Sequence, residues 1–248
     1  MRIRAQFFVM ALVGVALLGN PAAAADAGGA SQQRQQVETI IHDYLMQHPD
    51  VLIAALREAE DKLHHEDAAK ASQALTQNKK AVFNDPATPV GGNPAGDVTV
   101  VEFFDYRCPY CKQVEPSLDS MLRHDTKLRL VYKEFPILGP VSVTAARAAL
   151  AAEAQGKYDA FHTAMMAARG NITDDTVYQI AGSVGLDVAK LKRDMSSPEI
   201  AQQIKDNMKL ADALDIHGTP AFIIGDKVVP GAVDLDALKT MVADQRKQ

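Results

Sequence analysis

The chain has 248 residues, 47% hydrophobic and 23% charged, with a formal net charge of −5. That is the length of one large domain or two small ones, with ordinary globular composition. It excludes a disordered, collagen-like or many-spanned membrane chain, and an acidic balance without a long Lys/Arg run argues against a nucleic-acid binder.

Arg2 and Arg4 lead an apolar run from Phe7 to Leu18, followed by Asn20, Pro21 and four alanines, Ala22 to Ala25. This succession predicts a secretory signal peptide over residues 1–25, because the apolar run falls short of the about 20 residues needed to cross a bilayer. Export would carry the chain into an oxidising compartment, where thiol pairs meet disulfide chemistry.

Residues 26–85 read as an N-terminal helical region. Asp26 to Gln32 is small and polar and is expected to be a flexible lead-in. Val37, Ile40, Ile41, Tyr44 and Leu45 then recur at helical spacing. His48-Pro49-Asp50 interrupts them, since a residue before proline is pushed out of the helical region, and Pro49 can open a second helix. Leu52, Leu56, Ala59 and Leu63 stripe that helix, and a thinner stripe continues through Ala68, Ala71, Leu75 and Val82. One narrow stripe on two helices encloses no core. It either lies on the main domain or pairs with copies of itself, and the pattern leaves both open.

Residues 86–248 read as an α/β domain. Pro86, Pro89, Gly91-Gly92 and Pro94 give turn and linker chemistry up to Asp97. Val98 to Phe104 is β-branched and aromatic, a buried strand. A helix is expected from near Cys108 to about Arg123, kinked by Pro116, and Lys127 to Lys133 alternates as a second strand. Residues 140–214 are helical nearly throughout, with breaks at Gly156, Gly170-Asn171, Gly185 and Ser197-Pro198. Ala221 to Ile224 and Lys227 to Val229 flank Gly225-Asp226 as a hairpin, and Asp234 caps a last helix.

The chemistry is carried by the chain's only two cysteines, in Cys108-Pro109-Tyr110-Cys111. At a helix start, Cys108 meets unpaired backbone N–H groups and the positive end of the helix dipole, which favour thiolate over thiol. The thiolate is the attacking species in thiol–disulfide exchange. Cys111, one turn on, should be more buried and can reach back to release a substrate from a mixed disulfide. A static bridge over so short a loop would restrain the unfolded chain little. A zinc site would need two further ligands that no spaced motif supplies, and His64, His65 and His217 read as surface or capping residues.

Val101-Glu-Phe-Phe-Asp-Tyr-Arg-Cys-Pro-Tyr-Cys111 resembles the active-site segment of the DsbA-like thiol-disulfide oxidoreductases. Tyr132 to Pro140, His217-Gly218-Thr219-Pro220 and Gly231-Ala232 resemble further pieces of that family in the same order, over residues 89–248. The resemblance implies a thioredoxin fold with an inserted helical domain, about residues 140–214, preceded here by an N-terminal helical extension. It also implies that Cys108 is the nucleophile, Cys111 the resolving cysteine and Pro220 a cis-proline facing them. Pro109, Tyr110, Thr219 and Pro220 would contact the substrate. Glu102 matches the family's buried acid beneath the pair, a proton carrier for Cys111, with Lys133 as its possible partner. No cofactor or metal is implied.

Pro109-Tyr110 lacks the histidine of the strongly oxidising members, and Thr219 resembles the isomerase branches. Ile40 to Leu52 resembles the extension of the suppressor of copper sensitivity protein C group, which is linked to oligomerisation. The reading is therefore a periplasmic thiol-disulfide oxidoreductase leaning toward isomerase or reductase. Its expected partners are unfolded or misoxidised secreted proteins, a membrane redox partner and copies of itself through the N-terminal helices. The alternatives are a monomeric DsbA-type dithiol oxidase and, from another class, a copper-tolerance protein holding Cu(I) between the same two soft sulfurs. Glutaredoxins also use Cys-Pro-Tyr-Cys, but the export signal and long helical block argue against that assignment.

Overall fold

The structure, a computed structural model, describes residues 22–247. The expected signal peptide lies outside the described residues up to position 21. Helix α1 (Ala22–Gln47) begins upstream of the stretch expected to be a flexible lead-in, and so overturns that reading. Alanines on both sides of Gly28 and Gly29 carry enough helix propensity to continue through them.

His48 stands between α1 and the long helix α2 (Pro49–Phe83). Its ring lies against Tyr44, with centroids 4.5 Å apart, and its carbonyl accepts the Val51 N–H at 3.1 Å. Two compact units follow, one ending at Leu63 and the other starting at His64. In the first, Val37, Ile40, Ile41, Tyr44, Leu52 and Leu56 are exposed, so the apolar stripe read from the sequence is uncovered.

The second unit holds a five-stranded sheet in the order β1-β3-β2-β4-β5. Its strands are β1 (Val90–Gly92), β2 (Val98–Phe104), β3 (Leu128–Glu134), β4 (Ala221–Ile224) and β5 (Lys227–Pro230). Only β2 and β3 run parallel, joined by the crossover helix α3 (Pro109–His124), as parallel neighbours require. Strand alternation sorts the core. Val98, Val100, Phe104, Leu128, Leu130 and Tyr132 pack with Val114 and Leu118 of α3. Val101, Phe103, Val131 and Ile223 belong to a separate cluster with Leu75 and Val82 of α2. Because β2 lies at the centre, it is buried on both faces, which is why it reads as an unbroken apolar run.

Between β3 and β4 stand α4 (Pro140–Glu153), α5 (Tyr158–Ala167), α6 (Asp174–Ser183), α7 (Val188–Asp194) and α8 (Pro198–Ala213). They form the expected helical insertion. The breaks fall where the sequence places them, with Gly156, Gly170 and Gly185 at positive φ. Asp234 caps α9 (Leu235–Gln245) by accepting the Ala237 N–H at 2.8 Å. The architecture is a thioredoxin fold with an inserted helical subdomain and an N-terminal helical extension. Strand β1 lies in a stretch read as linker. It is a three-residue edge strand antiparallel to β3, and a Cβ at Gly91 would come within 2.7 Å of the Tyr132 hydroxyl, so glycine is what admits the Tyr132 ring there.

Candidate active site

Strand β2 ends at Phe104 and feeds a turn held by Asp105. The Asp105 carboxylate accepts the N–H groups of Arg107 at 2.8 Å and Leu138 at 2.9 Å, while its carbonyl accepts the Cys108 N–H at 3.0 Å. The turn sets Cys108 at the N-cap of α3 in extended conformation, with Pro109 opening the helix. Proline is tolerated there because its missing N–H would have had no intrahelical partner.

Both cysteines are free, with Cys108 only 3% exposed and Cys111 fully buried. Cys108 Sγ accepts the Cys111 N–H at 3.4 Å and, as a thiol, donates to the Thr219 carbonyl at 3.2 Å. The Thr219–Pro220 peptide bond is cis. Residues from two chain segments more than a hundred positions apart therefore meet at one sulfur.

A hydrogen bond with the Cys111 side chain pulls the Cys108 thiol down to about 5 against the opposing effect of burial. The Thr219 side chain and the backbone N–H groups of Cys111 and Tyr110 add to the lowering. Cys111 moves the other way. Its hydrogen bond to Cys108, its burial and the nearby Glu102 push its thiol far above the ordinary range. At neutral pH the pair thus holds one thiolate and one thiol, with the thiolate at the helix N-terminus.

Glu102 is fully buried, and neither of its carboxyl oxygens has a hydrogen-bond partner among the described residues. Burial first, then the charges of Glu115, Cys108 and Glu134, raise its carboxyl well above the usual range, so it is a neutral acid. The partner considered for it from the sequence, Lys133, is elsewhere. Glu102 pairs across the sheet with Tyr132, so the next residue points to the other face. There Lys133 donates to Thr88 Oγ1 at 2.7 Å and lies 3.5 Å from Asp85.

A second buried acid escaped the sequence reading. Glu134 Oε1 accepts the hydroxyls of Tyr106 at 3.0 Å and Tyr158 at 2.9 Å. His162 Nδ1 lies 3.1 Å from Tyr106 Oη, and its ring packs against Phe104 and Tyr132. These residues are widely separated in the chain and carry no motif, so only the fold brings them together.

The surface around Cys108 has two distinct sides. On one, Thr219, Pro220, Ile216, Val228 and Ala74 line a groove of about 780 Å³. On the other, Arg107, Pro109, Lys112 and Arg169 line a smaller cleft of about 280 Å³. Tyr110, between the two cysteines in sequence, is 60% exposed. Arg107 and Lys112 flank the motif in sequence, and that flanking charge was the available signal for the smaller cleft.

Residues 99–243 match the family model of the DSBA-like thioredoxin domain. The chain belongs to this family of thiol-disulfide oxidoreductases, with an active-site-like cysteine pair in Cys108-Pro109-Tyr110-Cys111. Within the family it stands close to the ScsC-type members, since residues 33–63 match the N-terminal domain of copper resistance protein ScsC.

Among solved structures, a thioredoxin-like oxidoreductase from Silicibacter pomeroyi is 50% identical, with a TM-score of 0.68 over 69% of this chain and 99% of that one. The catalytic domain of Proteus mirabilis ScsC is 30% identical, with a TM-score of 0.67 over 71% and 99%. A periplasmic thioredoxin-like protein from Salmonella enterica serovar Typhimurium is 34% identical, with a TM-score of 0.62 over 68% and 96%. Curated relatives that the chain matches include Na+/H+ antiporters NhaA of Salinispora arenicola and Salinispora tropica, each 30% identical over 62% of this chain, and it spans about a quarter of their length. Among the described residues no helix is long and apolar enough to cross a membrane.

Proposed function

We propose that the chain is a periplasmic protein-disulfide isomerase and reductase that acts on misoxidised secreted proteins and assembles through its N-terminal helices. The observation that carries the chemistry is the division of labour in the cysteine pair, with Cys108 drawn down to about 5 and Cys111 held as a buried thiol. The family of the catalytic domain and the periplasmic relative support the compartment. The uncovered apolar stripe on α1 and α2 supports self-assembly. On this reading residues 1–25 direct export, 26–85 assemble the protein and 86–248 catalyse.

The Cys108 thiolate attacks one sulfur of a substrate disulfide. A Cys108–substrate disulfide forms and the other substrate sulfur leaves as a thiolate. In isomerisation a second substrate thiolate attacks the bound substrate sulfur, a new substrate disulfide forms and Cys108 returns as thiolate, with no net electron transfer. In reduction Cys111 attacks the Cys108 sulfur of the mixed disulfide and gives up its proton to solvent, from which the departing substrate sulfur can be protonated. The substrate departs as a thiolate, two electrons pass to it, and Cys108–Cys111 becomes the disulfide. Glu102, neutral and near Cys111, donates a proton to the Cys111 thiolate when that disulfide is opened again. Thr219, Pro220, Pro109 and Tyr110 hold the substrate segment, and a membrane redox partner restores the reduced pair.

The test is reactivation of scrambled-disulfide ribonuclease by the prereduced protein, beside Cys108→Ser and the double variant Ile40→Asp, Ile41→Asp. The proposal expects recovery that needs Cys108 and falls in the double variant as its light-scattering mass drops to one chain. Efficient oxidation of a reduced substrate without isomerisation would replace it with a DsbA-type oxidase. Inactivity in both directions would overturn it and leave Cu(I) held by the two sulfurs as the reading to test.

A further inference from the structure

The small cleft beside Cys108 is basic in a protein of net charge −5. Arg107 immediately precedes Cys108, Lys112 immediately follows Cys111, and Arg169 lies in the loop just after α5. Among the described residues no carboxylate forms a salt bridge with any of the three. Elsewhere some basic side chains of this acidic protein do take carboxylates, as Arg246 takes Asp97 and Asp125.

The three cations are also fixed in place. Lys112 Nζ donates to the carbonyls of Met165 at 2.6 Å and Ala168 at 3.0 Å, at the C-terminal end of α5. Arg169 donates through Nη1 to the carbonyls of Met166 at 3.0 Å and Ala167 at 2.9 Å. Arg107 donates through Nη1 to the Leu138 carbonyl. Each guanidinium is thus anchored to main chain by one nitrogen, and its Nε–Nη2 edge has no partner among the described residues. That edge is the one that grips a carboxylate with two parallel hydrogen bonds. Burial first, and then the charge of Arg169, pushes Lys112 down to about 8.

We propose that this cleft is a specificity subsite that binds the carboxylate of an Asp or Glu side chain next to the target cysteine of a substrate polypeptide. Arg107 and Arg169 make the contact, and Lys112 is a positioning residue that holds the end of α5 against α3. Pro109 forms part of the same cleft, so a bound acidic side chain lies within a few residues of the sulfur under attack. The inference rests on the exchange reading of Cys108, and binding and exchange are therefore read separately.

The experiment uses two fluorescent disulfide-linked peptides that differ only in Glu-Glu or Gln-Gln beside the cysteine. Binding is measured to the Cys108→Ser protein, and exchange to the reduced protein. Two exposed carboxylate contacts predict about three- to tenfold tighter binding of the acidic peptide at low salt, most of it lost at high ionic strength. Arg169→Glu is expected to abolish or invert that preference, and Arg107→Gln to reduce it. The exchange preference should appear in KM rather than kcat. Glutathione disulfide, whose carboxylates are not held on a polypeptide, should show less dependence on Arg169. Equal binding of the two peptides, or a preference that ignores both salt and Arg169, overturns the subsite. Discrimination in binding without any exchange would instead remove the reading of Cys108 as the nucleophile.

Discussion

Cys108 and Cys111 move in opposite directions because the hydrogen bond they share favours a thiolate at Cys108 and keeps the proton on Cys111; backbone N–H groups of the helix start lower Cys108 further, while burial and Glu102 raise Cys111 further. Alkylation of the reduced protein should therefore occur at Cys108 alone, with a half-maximal rate near pH 5. A midpoint above pH 8, where free thiols titrate, would contradict the assignment. Between about 5 and the ordinary 9.0 the folded reduced protein holds a thiolate where the unfolded chain holds a thiol. The unfolded state then binds more protons, so the stability of the reduced form rises with pH across this window and is lost as pH falls through about 5. Glu102 has the opposite sign. Folded, it keeps a proton that the unfolded chain releases above its ordinary 4.5, so it weakens the fold as pH rises beyond that value. Glu102→Gln should raise the Tm at pH 7, by about 2–4 °C for each 1 kcal/mol recovered, with no gain below pH 4.5. A lower Tm at pH 7 would show that the buried acid is held as a carboxylate. The cysteine pair was legible from its own spacing after a strand, and Glu102 was singled out through the family resemblance of that same strand–turn–helix segment. The position of Lys133 was not, since strand register decides which face a residue takes, and register is a property of two segments.

Each element's visibility in the sequence followed from what stabilises it. Strand β2 and helices α3 to α9 announce themselves by apolar period, caps and glycine stops, which are local. Strand β1 does not, because its three residues are held by pairing to β3 and by the close approach of Tyr132 to Gly91. Helix α1 extends through residues too small and polar to show a stripe. Helix α2 carries two different kinds of residue along its length. Leu75 and Val82 are buried at 4% and 0% exposure against Phe103, Val131 and Ile223, while Leu52 and Leu56 are exposed. Leu75→Ala should therefore cost about 2–5 kcal/mol in the unfolding of the catalytic domain. A loss below 0.5 kcal/mol in denaturant unfolding, the scale of a surface substitution, would show that this part of α2 does not belong to the domain's core.

The molecule as a whole combines a thioredoxin fold, an inserted helical block and an uncovered N-terminal stripe. The insertion does more than decorate the sheet. It supplies Arg169 to the cleft beside Cys108 and, with Tyr158 and His162, completes the buried polar group around Glu134. Sequence order showed that the insertion exists and where it begins and ends. It could not show which of its residues return to the active site, because that depends on how five helices pack. The central claim is that Cys108 attacks and Cys111 releases. It is tested most directly by offering misoxidised exported proteins to the Cys111→Ser variant and mapping the products by non-reducing mass spectrometry. The account predicts stable mixed disulfides at Cys108, absent from Cys108→Ser. Their absence from Cys111→Ser, or exchange that continues in Cys108→Ser, would contradict it.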